Sequence, residues 1–133
     1  MSDLSLLPAT AAIDGPDLLI GGCSMADIAA EFGTPAFVID ETALRQRARA
    51  YADGLSSRHA RSRVCFATKS FPSASMLAVM ASEGLGFDVV GAGELRIALA
   101  AGADPAGIVM HGNAKSDEDI RAAIGRASCR ERV

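Results

Sequence analysis

The chain is 133 residues long, half of them apolar and 22% charged, a balance that suits one modest globular core and excludes a disordered tail. A formal charge of −3 gives no electrostatic reason to expect nucleic acid, whose binders present clustered Lys and Arg. No apolar run approaches the roughly 20 residues that span a bilayer, and the N-terminus lacks the basic flank and apolar stretch of a secretory signal, so a cytoplasmic protein without membrane contact is expected. Cys23, Cys65 and Cys129 form neither a CxxC pair nor a dense framework, which suits a reducing compartment and ordinary buried or half-buried thiols.

Residues 1–23 carry Pro8, Gly15, Pro16 and the pair Gly21-Gly22 without a sustained period, and read as an arm of loops with at most one short strand. Ser24 then caps a short helix, with Asp27 three residues on and Met25, Ile28, Ala29 and Phe32 at helical spacing until Gly33. After the Gly33-Thr34-Pro35 turn, Ala36-Phe37-Val38-Ile39 is short, apolar and β-prone, which predicts a buried strand. Asp40 is the expected N-cap of a helix over 41–55, whose stripe is Leu44, Ala48 and Tyr51 and whose outer face is basic.

From Val64 the rhythm becomes strand, helix, strand, helix, strand. Val64-Cys65-Phe66-Ala67 is the first strand, followed by a helix capped by Ser73 and carrying Met76, Leu77, Val79 and Met80. Phe87-Asp88-Val89-Val90 is the second, followed by a helix from Glu94 to Ala101 that Gly102 closes. Ile108-Val109-Met110 is the third, after the Asp104-Pro105 turn, and Ser116 begins a last helix with three acids in its first turn, where the dipole favours them. Repeated βα units imply parallel strands under helices, in a doubly wound sheet or a (β/α)8 barrel. Three strands complete neither, so the sequence reads as truncated. From Ile124 the helical pattern breaks off and the chain turns Arg-rich. The string Ile124-Gly125-Arg126-Ala127-Ser128-Cys129-Arg130-Glu131-Arg132-Val133 resembles the conceptual translation of a common short-read sequencing adapter. On that reading residues 124–133 are a non-native tail, Cys129 leaves the cysteine count, and losing three Arg and one Glu takes the charge from −3 to −5.

In parallel βα folds, ligands sit beyond the carboxyl ends of the strands. The residues there are Thr68-Lys69-Ser70, then Asp88 with Gly91-Ala92-Gly93-Glu94, then His111-Gly112-Asn113. A lysine directly after a buried strand places its ammonium at a desolvated crevice, where burial frees the amine for covalent chemistry with a carbonyl. Taken alone it is more often a structural or surface lysine that snorkels to water. Gly91-Ala92-Gly93 opens a helix after a strand, but the dinucleotide fingerprint needs a third glycine where Arg96 stands, and no P-loop string occurs. His59 and His111 are too far apart for a local metal-ligand pair, and no metal is expected.

Five pieces, in order, carry a resemblance: Gly33-Thr34-Pro35-Ala36-Phe37-Val38-Ile39-Asp40, Phe66-Ala67-Thr68-Lys69, Glu83-Gly84-Leu85-Gly86-Phe87-Asp88-Val89-Val90, Gly93-Glu94-Leu95 and His111-Gly112-Asn113-Ala114-Lys115-Ser116. Together they resemble the fold-type III pyridoxal-phosphate decarboxylases, most closely the branch that converts meso-diaminopimelate to L-lysine. The resemblance implies the N-terminal part of a (β/α)8 barrel of the alanine racemase type over 41–123, preceded by an arm and strand (1–40) belonging to a β-domain. It implies pyridoxal 5'-phosphate as cofactor, Lys69 as the catalytic residue that holds it covalently, and Asp88, His111 and Asn113 as cofactor-binding residues. Asp88 would set a carboxylate beside the lysine, and Glu94 would be an active-site neighbour or simply a helix-opening acid. A homodimer is implied for the intact enzyme, with a small-molecule amino acid as substrate, and no turnover by the 133-residue chain alone. Decarboxylases of ornithine, arginine or carboxynorspermidine share the lysine strand, as does a non-catalytic pyridoxal-phosphate-binding barrel.

Overall fold

The computed structural model describes residues 4–130, which fall into two units, 1–47 and 48–133. In the first unit, strands β1 (Ala12–Asp14), β2 (Asp17–Ile20) and β3 (Cys23–Ser24) form an antiparallel sheet in that order. The registers Asp14↔Asp17 and Ile20↔Cys23 leave Gly15-Pro16 and Gly21-Gly22 as two-residue hairpin loops, the connection that tight antiparallel pairs favour. These breakers therefore join strands, where the sequence suggested an arm of loops.

Helix α1 (Met25–Phe32) starts at Ser24, whose hydroxyl accepts the Asp27 N–H at 3.3 Å, as expected of an N-cap. The strand predicted over 36–39 does not form, and its apolar side chains are exposed, Phe37 by 97%. A strand exists only through pairing, and among the described residues no neighbouring strand takes up its backbone. Asp40 caps helix α2 (Glu41–Ser56) by accepting the Ala43 N–H at 3.0 Å, and it also accepts the Thr10 hydroxyl. The Thr10 bond foremost, then the Ala43 bond, hold the Asp40 carboxyl below the ordinary carboxylate range. Along α2 only Ala48 is buried; Tyr51 on the same stripe is 67% exposed.

The second unit is a parallel sheet in the order β4 (Cys65–Ala67), β5 (Gly86–Val89), β6 (Ile108–His111), β7 (Ser128–Arg130). Helices α3 (Ala74–Ser82), α4 (Ala92–Ala100) and α5 (Asp117–Ala123) alternate with the strands. Four parallel strands form, one more than expected. Residues 128–130, read from sequence as part of a non-native tail, pair with β6 at Val109↔Ser128 and His111↔Arg130 and so take up backbone groups that an edge strand would leave open. The end of that tail, 131–133, lies outside the described residues, as does the Cys129 side chain. Cys23 and Cys65 are in no disulfide and are exposed, where buried or half-buried thiols were expected; each sits on an edge strand of its sheet.

Register decides which side chains make the core. Phe66, Phe87 and Ile108 are level across β4, β5 and β6, so they share one face, with Val89 and Met110 two residues further along. On that face Phe87, Val89, Ile108 and Met110 are buried together with Leu77 and Met80 of α3 and Leu95 and Ala98 of α4. Ala67, Asp88 and Val109 are also level, point the other way, and are only half-buried. The connections after α3 and α4 end alike. After α3 the Gly84 N–H reaches Ala81 and the Leu85 N–H reaches Met80, and after α4 the Gly102 N–H reaches Leu99 and the Ala103 N–H reaches Ala98. This is the Schellman arrangement, and it needs the left-handed backbone that Gly84 (φ 78°) and Gly102 (φ 89°) adopt without a Cβ clash.

Candidate functional site

At the carboxyl ends of β4, β5 and β6 lies a cleft of about 490 Å3, lined by Lys69, Asp88, Val90, His111, Gly112, Asn113 and Ala114. The sheet's alternation explains the membership. Asp88 lies on the face away from the helices, Val90 and His111 continue that alternation from β5 and β6, and Lys69 stands two residues beyond Ala67 of the same row. The strand-end residues Lys69, Asp88, His111 and Asn113, far apart in sequence, are thus brought to one cavity.

Lys69 is in a single 3-10 turn, Thr68–Ser70, that leads out of β4. The turn is held from three sides: Phe71 N–H donates to Thr68 O at 3.1 Å, Ser70 Oγ donates to Ala67 O at 2.8 Å, and Thr68 Oγ1 lies 2.9 Å from Asp88 O. Thr68 is fully buried. Its hydroxyl also bonds the Glu94 carboxylate, which in turn accepts the Val90 N–H at 3.0 Å. Glu94 therefore works from the helix side of the sheet, where Thr68 points, and does not line the cleft. It ties the lysine turn to the end of β5. Thr68 is named by the sequence reading but given no role there: its position in the row of Val89 and Met110 marks it as inward, and a buried hydroxyl demands partners.

Lys69 itself is exposed in this chain, so the desolvation expected of a strand-end lysine is absent here. The electrostatic feature of the cleft is Asp88. Its Oδ1 is buried and is the one such side-chain atom without a hydrogen-bond partner among the described residues. Burying a carboxylate oxygen without a partner is unfavourable, and a cation or hydrogen-bond donor would relieve it. His111 and Asn113 are exposed at the mouth. Behind them Lys115 Nζ donates to Gly112 O at 3.0 Å and steadies the loop after β6. Among the described residues, no group of three or more His, Cys, Asp or Glu able to hold a metal ion occurs, and no helix is long and apolar enough to cross a membrane.

Fold and cleft together define the class: part of an α/β barrel, with its cavity at the carboxyl ends of the strands. The family model for "Pyridoxal-dependent decarboxylase, pyridoxal binding domain" matches residues 41–128, and the chain belongs to this family. It is 39% identical over 123 residues to a diaminopimelate decarboxylase of Actinosynnema pretiosum, covering 92% of this chain and 27% of that protein. To a diaminopimelate decarboxylase of Synechocystis it is 40% identical over 130 residues, covering 90% of this chain and 28% of the relative. Among solved structures, the diaminopimelate decarboxylase of M. jannaschii in complex with L-lysine superposes with a TM-score of 0.80 at 28% identity, covering 90% of this chain and 28% of that one. The chain thus spans a little over a quarter of the length of these relatives.

Proposed function

We propose that this chain is the opening part of the cofactor-binding barrel of a pyridoxal-phosphate-dependent decarboxylase that converts meso-diaminopimelate to L-lysine, with Lys69 as the residue that holds the cofactor. The observation that carries the reading is the cleft that Lys69 and Asp88 line together, with Asp88 Oδ1 buried and unpartnered. A pyridoxal site needs a primary amine for the aldehyde and an anionic group that tolerates positive charge beside it. Lys69 and Asp88 are chemically that pair, so the residues present fit the group. Lys69 Nζ would hold the cofactor, the Asp88 carboxylate would balance the charge on the bound nitrogen, and the His111 ring and Asn113 amide would close the mouth as ring contact and hydrogen-bond partner. When bound, pyridoxal phosphate supplies an electron sink for the carbanion left by departing carbon dioxide.

The chain's own contribution is preorganisation. The Thr68–Glu94–Val90 links fix the Lys69 turn against the end of β5, so the amine is presented from rigid backbone rather than from a mobile loop. The substrate assignment is supported by relatives named diaminopimelate decarboxylase at about 40% identity. A homodimer, which the family resemblance implies, and a cytoplasmic setting complete the reading, and turnover is assigned to the full-length protein, not to these 133 residues alone. The test is to supply the full-length protein with pyridoxal phosphate and meso-diaminopimelate, ornithine or arginine in turn. Release of carbon dioxide with L-lysine from meso-diaminopimelate is expected; preference for ornithine or arginine would overturn the substrate assignment.

A further inference from the structure

The loops after β5 and β6, which supply most of the cleft, meet at one carboxylate. Helix α4 opens at Ala92 with Gly91 as its N-cap, and Gly91 has no side chain to satisfy the orphan N–H groups of the first turn. Asp119, from the first turn of α5, does so instead: its Oδ1 accepts the Ala92 N–H at 2.6 Å. Its Oδ2 accepts the Ser116 N–H at 2.9 Å and the Ser116 hydroxyl at 2.7 Å, which closes the capping box of α5. One side chain thus caps two helices. The fit leaves no slack, since a Cβ on Gly91 would lie 2.9 Å from Asp119 Oδ1 and one on Gly112 would lie 3.0 Å from Val90 O. This close approach gives Gly91 a physical reason that the incomplete dinucleotide pattern did not.

We propose that Asp119 is a positioning residue for the Lys69 cleft: by bridging the start of α4 to the start of α5, it fixes the loop bearing Val90 against the loop bearing His111, Gly112 and Asn113. The consequence for the cofactor rests on the reading under Proposed function; the bridge itself does not. The Ala92 amide foremost, then the Ser116 amide and hydroxyl, hold the Asp119 carboxyl below the ordinary carboxylate range, so it stays an ionised acceptor near neutral pH. The exposed Arg96–Glu118 pair at 3.7 Å spans the same two helices further out, but such surface pairs contribute little.

The alternative role, a cap for α5 alone, is separated by Ser116→Ala, which removes the hydroxyl but keeps the Asp119 bond to Ala92. In the full chain without cofactor, Asp119→Ala should raise amide hydrogen exchange about tenfold in both the 90–94 and 111–116 segments, while Ser116→Ala loosens only 116–119. Should Asp119→Ala fail to fold, Asp119→Asn serves: its single oxygen can accept from Ala92 or from Ser116 but not both, so one loop alone should loosen. With pyridoxal phosphate as probe, Asp119→Ala should weaken retention at Lys69 about tenfold, equivalent to about 1.4 kcal/mol, and Ser116→Ala by less than about twofold. Loosening confined to 116–119 in Asp119→Ala, loosening of neither loop in Asp119→Asn, or unchanged retention by the folded Asp119→Ala chain, would overturn the positioning role. Coupled loosening together with no retention by the unmutated chain would instead sink the cofactor reading and leave the bridge standing.

Discussion

The two units of this molecule are ordered in different ways. Every buried residue among those described lies at position 48 or beyond. There the parallel register stacks Phe87, Val89, Ile108 and Met110 under two helices, and hydrophobic burial holds the strands in line. In residues 4–47 no side chain is buried; order comes from two tight hairpins, the Ser24 cap and the Thr10–Asp40 bond. The candidate site stands on the first kind of order. A reacting amine must be held by elements that do not open locally, and local opening is easiest where few apolar contacts exist.

The sharpest way to break this contrast is to remove one aromatic ring from each unit. Phe87→Ala, at 1% exposure, should cost about 3–5 kcal/mol in denaturant unfolding, through lost transfer energy and the cavity left behind. Phe37→Ala, at 97% exposure, should stay within about 0.5 kcal/mol. Equal costs would mean that the 34–40 segment is packed against something. The caps give a smaller and subtler test. Ser73→Ala removes the acceptor of the Met76 N–H at 3.2 Å and should lower global stability by about 1 kcal/mol. Ser24→Ala removes the equivalent bond to Asp27, yet in a unit without buried side chains its loss should show as fraying of α1 in helical circular dichroism, with the main transition unmoved.

Acid provides the smallest effect. Asp40 and Asp119 have folded pKa values depressed by the hydrogen bonds they accept. The unfolded chain therefore binds their protons first, so the stability each contributes is complete above the ordinary carboxylate pKa and is lost as pH falls through the depressed one. Asp119→Asn should flatten the acid limb of the stability curve for the second unit, and Asp40→Asn should alter only signals from residues 4–47. A steeper acid limb in either variant would contradict these hydrogen-bond assignments.

Local signals were legible and non-local ones were not. Ser24, Ser73, Asp104 and Ser116 each bond an amide two or three residues on, so their caps can be read from a few letters. The strand predicted over 36–39 has the right letters and fails, because pairing is decided by what lies alongside. The hairpins at Gly15-Pro16 and Gly21-Gly22 were mistaken for loops since strands of two to four residues carry no visible alternation. For the site, the strand-end rule lists Lys69, Asp88, His111 and Asn113 among its neighbours, and the family resemblance singles them out. The rule lists Thr68 but not its bond to Glu94, and it does not reach Asp119, because the partners stand 26 and 27 residues away in sequence and become neighbours only through the sheet register.

The chain has two lysines, Lys69 and Lys115, and the structure treats them differently: Lys115 donates to Gly112 O behind the loop, while Lys69 opens onto the cleft. Incubation with pyridoxal phosphate, reduction with borohydride and peptide mass mapping therefore tests the central claim directly. The account predicts the adduct on the Lys69 peptide, and its complete loss in Lys69→Ala without transfer to Lys115 or the N-terminal amine. Labelling spread evenly over these amines, or retained after Lys69→Ala, would contradict it.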